Sequence, residues 1–258
     1  MILDDIITKK RLNLERDSLQ ISLSELEFRA SKMPDTRDFH TNLAGKELSV
    51  IAEVKHSSPS QGMITKDYKY KETASAYEHG GAAAVSVLTE RNFFQGSDQH
   101  LTEIKQITNI PILRKDFIIS ECQVIESKAI GADAIPLITA ILDSKTMFRL
   151  YNLASEHGLH TLFEAHTEDE VKRIADCGAK IIGINNRNLK TFEIDMRTFE
   201  KLRKHIPSDA LAVAESGIAT VGDTKRMKDA GADAILVGST LMRSANPGAL
   251  IREFGGLG

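Results

Sequence analysis

Apolar residues in this chain fall into short runs separated by amphipathic stretches, and four of the runs share one form. They are Gly81-Ala-Ala-Ala-Val-Ser-Val, Gly131-Ala-Asp-Ala-Ile-Pro-Leu, Gly178-Ala-Lys-Ile-Ile-Gly-Ile and Gly231-Ala-Asp-Ala-Ile-Leu-Val. Their glycines stand 50, 47 and 53 residues apart, each after a helix-like stretch such as residues 225–230. A glycine there fits a helix C-cap in the left-handed conformation, and the run after it fits a strand buried on both faces. Between them lie four further apolar runs, residues 48–55, 111–117, 160–166 and 210–216. Interleaving the two sets predicts eight strands at roughly 25-residue spacing with helices between them, the arithmetic of a (β/α)8 TIM barrel in the α/β class. A doubly wound open sheet is the competing architecture. It would usually carry a GxGxxG turn after its first strand, and none is present.

Residues 1–47 precede the first strand. Ile2, Leu3, Ile6, Ile7 and Leu14 recur with the spacing of one helix face, and Leu23, Leu26 and Phe28 suggest a second helix. The segment is too short and too polar to be a domain. It reads as an N-terminal helical extension, 1–47, packed across one mouth of a single barrel domain, 48–258.

Composition narrows the partners. The 258 residues carry 33 Lys+Arg against 36 Asp+Glu, a net charge of -3 that offers no bulk electrostatic case for nucleic acid. No apolar run approaches the ~18 residues of a membrane span, and Asp4 and Asp5 directly follow Ile2 and Leu3, the wrong order for a basic signal peptide. Cys122 and Cys177 form no CxxC and no metal spacing, and read as ordinary intracellular thiols. These features predict a soluble, cytoplasmic, metal-poor protein that binds neither nucleic acid nor membrane.

Side chains alternate along a strand, so parity separates the barrel interior from the helix layer. One parity set on the first strand is Ser49, Ile51, Glu53 and Lys55; the other is Val50, Ala52 and Val54, suited to packing under helices. The corresponding sets are Leu113, Lys115 and Phe117; His160, Leu162, Glu164 and His166; Ile181, Gly183, Asn185 and Arg187; and Leu211, Val213 and Glu215. Glu53, Lys55, Lys115, Glu164, Asn185, Arg187 and Glu215 then converge at the C-terminal end of one barrel, the face that holds the active sites of this fold. A mutually neutralising salt-bridge layer is the plainer reading, although apolar packing could replace such a layer without loss of stability. Lysines and glutamates in one pocket also suit general acid–base chemistry, and a lysine in cationic company can have a lowered pKa that opens Schiff-base or proton-donor roles.

Ser216-Gly217 ends the seventh strand, and Gly238-Ser239-Thr240 ends the eighth before a helix-like stretch. Glycine turns at these two strands, with a helix N-terminus, form the usual phosphate cradle of the fold and predict a small phosphorylated substrate. Glu164 with His157, His160 and His166 has no HExxH spacing, which argues against a metal site. His56 suits an exposed loop. Phe93, Phe94 and Phe117 near strand ends suit core packing or a clamp on an aromatic substrate.

Five motifs in order resemble the indole-3-glycerol phosphate synthase family of the tryptophan pathway. They are Ala52-Glu-Val-Lys-His-Ser-Ser-Pro-Ser60, Leu88-Thr-Glu-Arg-Asn-Phe-Phe-Gln-Gly-Ser97, Pro111-Ile-Leu-Arg-Lys-Asp-Phe117, Gly183-Ile-Asn-Asn-Arg-Asn-Leu189 and Glu215-Ser-Gly217. Ile2-Leu-Asp and Arg37-Asp-Phe39 resemble the family's N-terminal extension. The resemblance implies a cofactor-free carboxy-lyase that converts 1-(2-carboxyphenylamino)-1-deoxyribulose 5-phosphate to indole-3-glycerol phosphate. It implies Lys115 as general acid and Glu164 with Lys55 in the dehydration. Glu53 and Asn185 then hold the reacting centre, while Arg187 and Ser58 meet the substrate carboxylate. Glu215 and Ser216 lie beside the ribulose chain, Gly217, Gly238 and Ser239 cradle the phosphate, and Phe94 and Phe117 flank the aromatic ring. The expected state is a monomer or weak homo-oligomer.

The sequence departs from the family pattern at three places. Pro136 interrupts the fourth strand, where a bulge or local distortion is expected, bearing on the apolar wall of the ring pocket. His56 and Gln61 replace residues that are often lysine, which weakens anion steering. Ala165 and Ala214 are small but point away from the pocket by parity. A phosphoribosyl isomerase, or a silent barrel that only binds an anion, are the rival readings; the presence of both Lys55 and Lys115 speaks against the second.

Overall fold

A computed structural model describes residues 2–19, 21–45, 47–189 and 191–256, so the outermost residues of the expected 1–47 and 48–258 spans lie outside the described residues. The eight barrel strands are β1 (Ser49–Val54), β2 (Ala84–Leu88), β3 (Ile112–Lys115), β4 (Ala134–Ile138), β5 (His160–Ala165), β6 (Ile181–Asn185), β7 (Leu211–Glu215) and β8 (Ala234–Val237). They are parallel and close on themselves, β8 pairing with β1. The open-sheet alternative is thereby excluded. A two-residue ribbon, Ser57–Ser58 against Gly62–Met63, lies in the loop after β1.

The helices that alternate with these strands end as the repeat predicts. Gly81, Gly131, Gly178 and Gly231 have φ of 86°, 94°, 71° and 90°. The amides of Ala82, Ala132 and Ala232 reach back to the carbonyls of Tyr77, Ser127 and Met227, closing the helix and redirecting the chain into an even-numbered strand. The aspartates of the second and fourth repeats have their own function at the N-terminal ends of the strands. Asp133 accepts the Ile112 amide at 2.8 Å, and Asp233 accepts that of Ala212 at 2.7 Å, so each holds the strand before it in register.

Two apolar layers follow the parity of the strands. Ile51, Leu113, Leu162 and Val213 of the odd strands meet Ala84, Ala134, Ile181 and Ala234 of the even strands inside the barrel. Val50, Ala52 and Val54 pack outward under the helices, as do Ala165 and Ala214. Pro136 does not produce the expected bulge. β4 runs unbroken and keeps a five-residue register with β5, whereas its pairing with β3 is confined to Leu113↔Ala134, where a missing ladder donor costs little. Alternation turns Pro136 inward, and Ile138, two residues on, is the β4 residue that reaches the cavity above it.

The N-terminal segment reaches both mouths rather than one. It forms α1 (Ile2–Ser18), α2 (Leu23–Ser31) and α3 (Phe39–Leu43). Phe39 and Leu43 plug the N-terminal end of the barrel, while Ile2, Leu3 and Ile6 of α1 line the cavity at the opposite end. α2 forms as expected and packs beside α6 (Glu121–Ala129), but its Leu23 and Phe28 are exposed and Ala30 is its buried contact.

Among the described side chains of α1 two are buried, the apolar Ile6 and the charged Lys10. The Lys10 ammonium lies 2.6 Å from Asp116 Oδ1, and Asp116 Oδ2 accepts the Thr89 hydroxyl at 2.8 Å. Burial pushes the Asp116 carboxyl up, but Lys10 and Arg114 more than offset it and hold it below the ordinary aspartate value. Replacing Lys10 leaves a buried carboxylate with Arg114 as its remaining cation. Lys10→Met is therefore expected to lower stability by about 2–3 kcal/mol in urea titration and to speed hydrogen exchange across α1. Adding Asp116→Asn should recover part of the loss, and an unchanged midpoint in Lys10→Met would show that the pair does not hold the helix.

Candidate active site

A cavity of about 390 Å3 opens at the C-terminal ends of the strands. Glu53, Lys115, Glu164 and Glu215 enter it from β1, β3, β5 and β7, one from each odd strand. They form the top layer of the barrel interior in place of the aliphatic residues below. Lys55, Asn185, Arg187, Ser58, Phe94, Phe117, Ser216, Gly217 and Ser239 line the same cavity. Gly238 lies directly beside it, since a Cβ there would stand 2.9 Å from Lys55 Nζ and overlap Glu53 Oε1. The residues singled out from sequence thus meet in one place.

The charges pair unequally. Lys55 Nζ lies 2.5 Å from Glu53 Oε1, and Lys115 Nζ donates to Glu164 Oε1. Glu215 Oε2 stands 3.9 Å from the same ammonium, and Glu215 Oε1 is buried with no hydrogen-bond partner among the described residues. Burial alone would lower the Lys115 ammonium, but the coulombic pull of Glu164, Glu215 and Glu53 outweighs it and raises the pKa. Lys115 is therefore in anionic, not cationic, company. It is held protonated, which suits a proton donor and disfavours the neutral amine that a Schiff base requires. Glu215 is pushed well above the ordinary glutamate value, first by burial and then by Glu164, with Lys115 offsetting only part. Gly183 makes room for it, because a Cβ at that position would overlap Glu215 Oε1.

The walls are held by carboxylates that the parity argument passed over. Glu90 accepts the amides of Phe93 at 2.7 Å and Phe94 at 3.1 Å, and Asp116 accepts that of Phe117 at 2.7 Å. The rings of Phe94 and Phe117 stand 6.2 Å apart, and both line the cavity. Ser216 and Gly217 both take positive φ, 65° and 87°, so two successive residues turn the chain sharply after β7. Asn186 braces this turn by donating to the Ser216 carbonyl at 3.1 Å while accepting the Phe199 amide at 3.0 Å. The run Thr89-Glu90 and the Asn185-Asn186 pair were the available sequence signals for these supports. Ile138, Phe192, Ile194 and Arg243 also line the cavity without having been anticipated.

The histidines scatter. His160 sits at the opposite end of β5, 3.6 Å from Asp38, and His157 lies 3.8 Å from Glu27. β5 ends at Ala165, so parity no longer applies to His166, whose amide donates to Glu170 at 2.6 Å. His56 stacks on Tyr68 at 4.6 Å instead of standing free in solvent.

A family model described as indole-3-glycerol phosphate synthase matches residues 3–254. The chain is 44% identical over 258 residues to the indole-3-glycerol phosphate synthase of Ruminiclostridium cellulolyticum, covering 99% of each chain. It is 46% identical over 256 residues to that of Lacticaseibacillus paracasei, covering 98% of each. Among solved structures it is similar to a 3-hexulose-6-phosphate synthase with a TM-score of 0.63 and 15% identity, over 81% of this chain and 99% of that one. It is also similar to a thiamine phosphate pyrophosphorylase from Pyrococcus furiosus, with a TM-score of 0.61 and 16% identity, over 85% and 97% of the two chains. The last two likenesses concern the fold alone.

The raised Glu215 carboxyl carries a stability consequence. The folded chain keeps this proton to higher pH than the unfolded chain, whose glutamate titrates near its ordinary value of 4.5. Its favourable contribution is complete below that value and is lost as pH rises through the folded pKa. Glu215→Gln should therefore reduce the loss of urea stability between about pH 5 and about pH 8 relative to the parent. An identical pH slope in both proteins would refute the raised carboxyl.

Proposed function

The chain belongs to the indole-3-glycerol phosphate synthase family, and on that premise we propose how its residues divide the reaction. The enzyme is a carboxy-lyase of tryptophan biosynthesis. It closes, decarboxylates and dehydrates 1-(2-carboxyphenylamino)-1-deoxyribulose 5-phosphate to indole-3-glycerol phosphate.

Lys115 is the general acid of ring closure. As the aromatic carbon bearing the carboxylate attacks the ribulose carbonyl carbon, the carbonyl oxygen takes a proton from the ammonium. Release of carbon dioxide then returns the electron pair to the ring. The observation that carries this role is the half-buried ammonium between Glu164 and Glu215, charged before substrate arrives and lining the cavity. Glu164 and Lys55 serve the final dehydration, in which the new hydroxyl leaves as water with one proton gained and the ring system gives one up. Glu53 holds Lys55 through their 2.5 Å ion pair, and Asn185 holds the backbone of Arg187 by accepting its amide at 3.0 Å.

Arg187 and Ser58 receive the carboxylate. Burial lowers the Arg187 guanidinium from its ordinary value, yet the side chain stays charged. Phe94 and Phe117 flank the aromatic ring, Glu215 and Ser216 face the ribulose chain, and the turns at Gly217, Gly238 and Ser239 supply amides to the phosphate. Holding both reacting carbons in one small, walled cavity supplies the proximity that an intramolecular ring closure needs. A cytoplasmic location and a monomeric or weakly associated state belong to the same proposal, supported by two free thiols, Cys122 and Cys177, and by a small diffusible substrate.

Lys115→Met is expected to lower kcat by roughly 10²–10⁴-fold or more in a fluorescence assay of indole formation. Affinity for inorganic phosphate and the thermal midpoint serve as controls for an intact fold. Turnover within a few-fold of the parent would remove Lys115 from the general-acid role.

A further inference from the structure

Four cations face the cavity, and two of them are already neutralised. Lys55 pairs with Glu53 and Lys115 with Glu164. Arg187 and Arg243 have no carboxylate partner among the described residues; Arg187 donates to the Phe192 carbonyl at 3.1 Å, and Arg243 Nη2 to Gln61 Oε1 at 3.3 Å. The substrate in the reaction proposed above carries two anionic ends, a carboxylate and a phosphate. Arg187 stands at the end assigned to the carboxylate, which leaves Arg243 and the phosphate.

The placement of Arg243 fits that pairing. It ends the short helix Ser239–Arg243, four residues after Ser239, so both lie on one face of that helix. Helical side chains lean toward the N-terminal end of their helix, and an arginine is long enough to span the ~5.4 Å of one turn. Arg243, Ser239 and Gln61 line the same cavity, and the guanidinium is held there by Gln61. Thr240 donates to the Ile218 carbonyl at 2.9 Å, which fastens this turn to the segment after Ser216 and Gly217. Gln61 reaches the guanidinium from the loop after β1, so Arg243 joins that loop to the segment after β8. Gln61 is neutral and occupies one of five N–H donors, leaving the charge uncompensated and most donors free for an anion.

We infer that Arg243 is a phosphate ligand of this enzyme, closing the phosphate end of the cavity from its rim while Gln61 steers the guanidinium across from the loop after β1. The inference rests on the substrate assignment only for the identity of the second anion. The binding of inorganic phosphate tests it without turnover. Arg243 is exposed, so its contribution is screened by salt and moderate in size.

The test compares the parent, Arg243→Gln, and Arg243→Gln combined with Gln61→Lys. In Arg243→Gln, KM for the ribulose phosphate and the calorimetric Kd for inorganic phosphate should rise together by about three- to tenfold at low salt, with the difference shrinking at high salt. The effect should fall on KM rather than kcat. Adding Gln61→Lys returns a cation to the same gap and should restore much of the phosphate affinity. Unchanged phosphate affinity in Arg243→Gln overturns the inference. A fall in kcat and thermal midpoint with phosphate binding intact also overturns it, by pointing to a structural role. Should the parent bind phosphate through Arg243 yet fail to form indole, the reaction assignment falls and the phosphate ligand stands.

Discussion

A half-buried ammonium with more carboxylates than it can neutralise governs this active site. Lys115 emerges from β3 into a layer whose other members are Glu53, Glu164 and Glu215. Each comes from an odd strand, because a closed eight-stranded barrel gathers the inward residues of alternate strands into common layers of four. One layer lower, the same strands supply Ile51, Leu113, Leu162 and Val213. The step from aliphatic to ionised layer takes two residues along each strand. It replaces packing that would hold the barrel together with groups that must be paired or protonated to remain buried.

Much of the surrounding architecture answers that demand. Lys115 is kept charged by its neighbours, while burial and the adjacent Glu164 push the Glu215 carboxyl well above its ordinary value. Gly183 and Gly238 leave open the volume that the carboxylates of Glu215 and Glu53 occupy, so these two even-strand positions are small for the sake of odd-strand charges. Outside the cavity a second set of ions fixes the walls. Asp116 joins Lys10, Thr89 and the Phe117 amide, and Glu90 gathers three successive amides from Asn92 to Phe94. Both aromatic walls thus hang on buried carboxylates, and the helix that covers the mouth hangs on one of them.

The pairing arrangement also fits the proposed division of proton transfer and anion recognition between different cations. Lysines already engaged by glutamates are positioned and charged, which is what proton transfer requires. They have little net attraction left for an incoming anion. Arginines without a carboxylate partner retain that attraction, and their fixed fork of donors suits a planar carboxylate or a phosphate.

Periodicity was enough to predict the barrel, since the glycine that caps each even-strand helix must take positive φ and the apolar run after it has nowhere to go but a sheet covered on both faces. Parity likewise carried Glu53, Lys115, Glu164, Asn185 and Glu215 to one mouth, because alternation is local geometry. It failed where the strand stopped, at His166, and where the relevant partner was remote in sequence. Lys10 reads as a solvated helix residue until Asp116 is placed 2.6 Å from it, and Pro136 reads as a break until the sparse pairing toward β3 is seen. The two mouths reached by the N-terminal segment, the Glu215 Oε1 without a hydrogen-bond partner among the described residues and the meeting of Arg243 with neutral Gln61 are likewise products of the closed barrel. Which residues carry charge and where strands begin follow from the chain one turn at a time. Which charges neutralise each other depends on distances between strands far apart in sequence, and only the tertiary fold sets those.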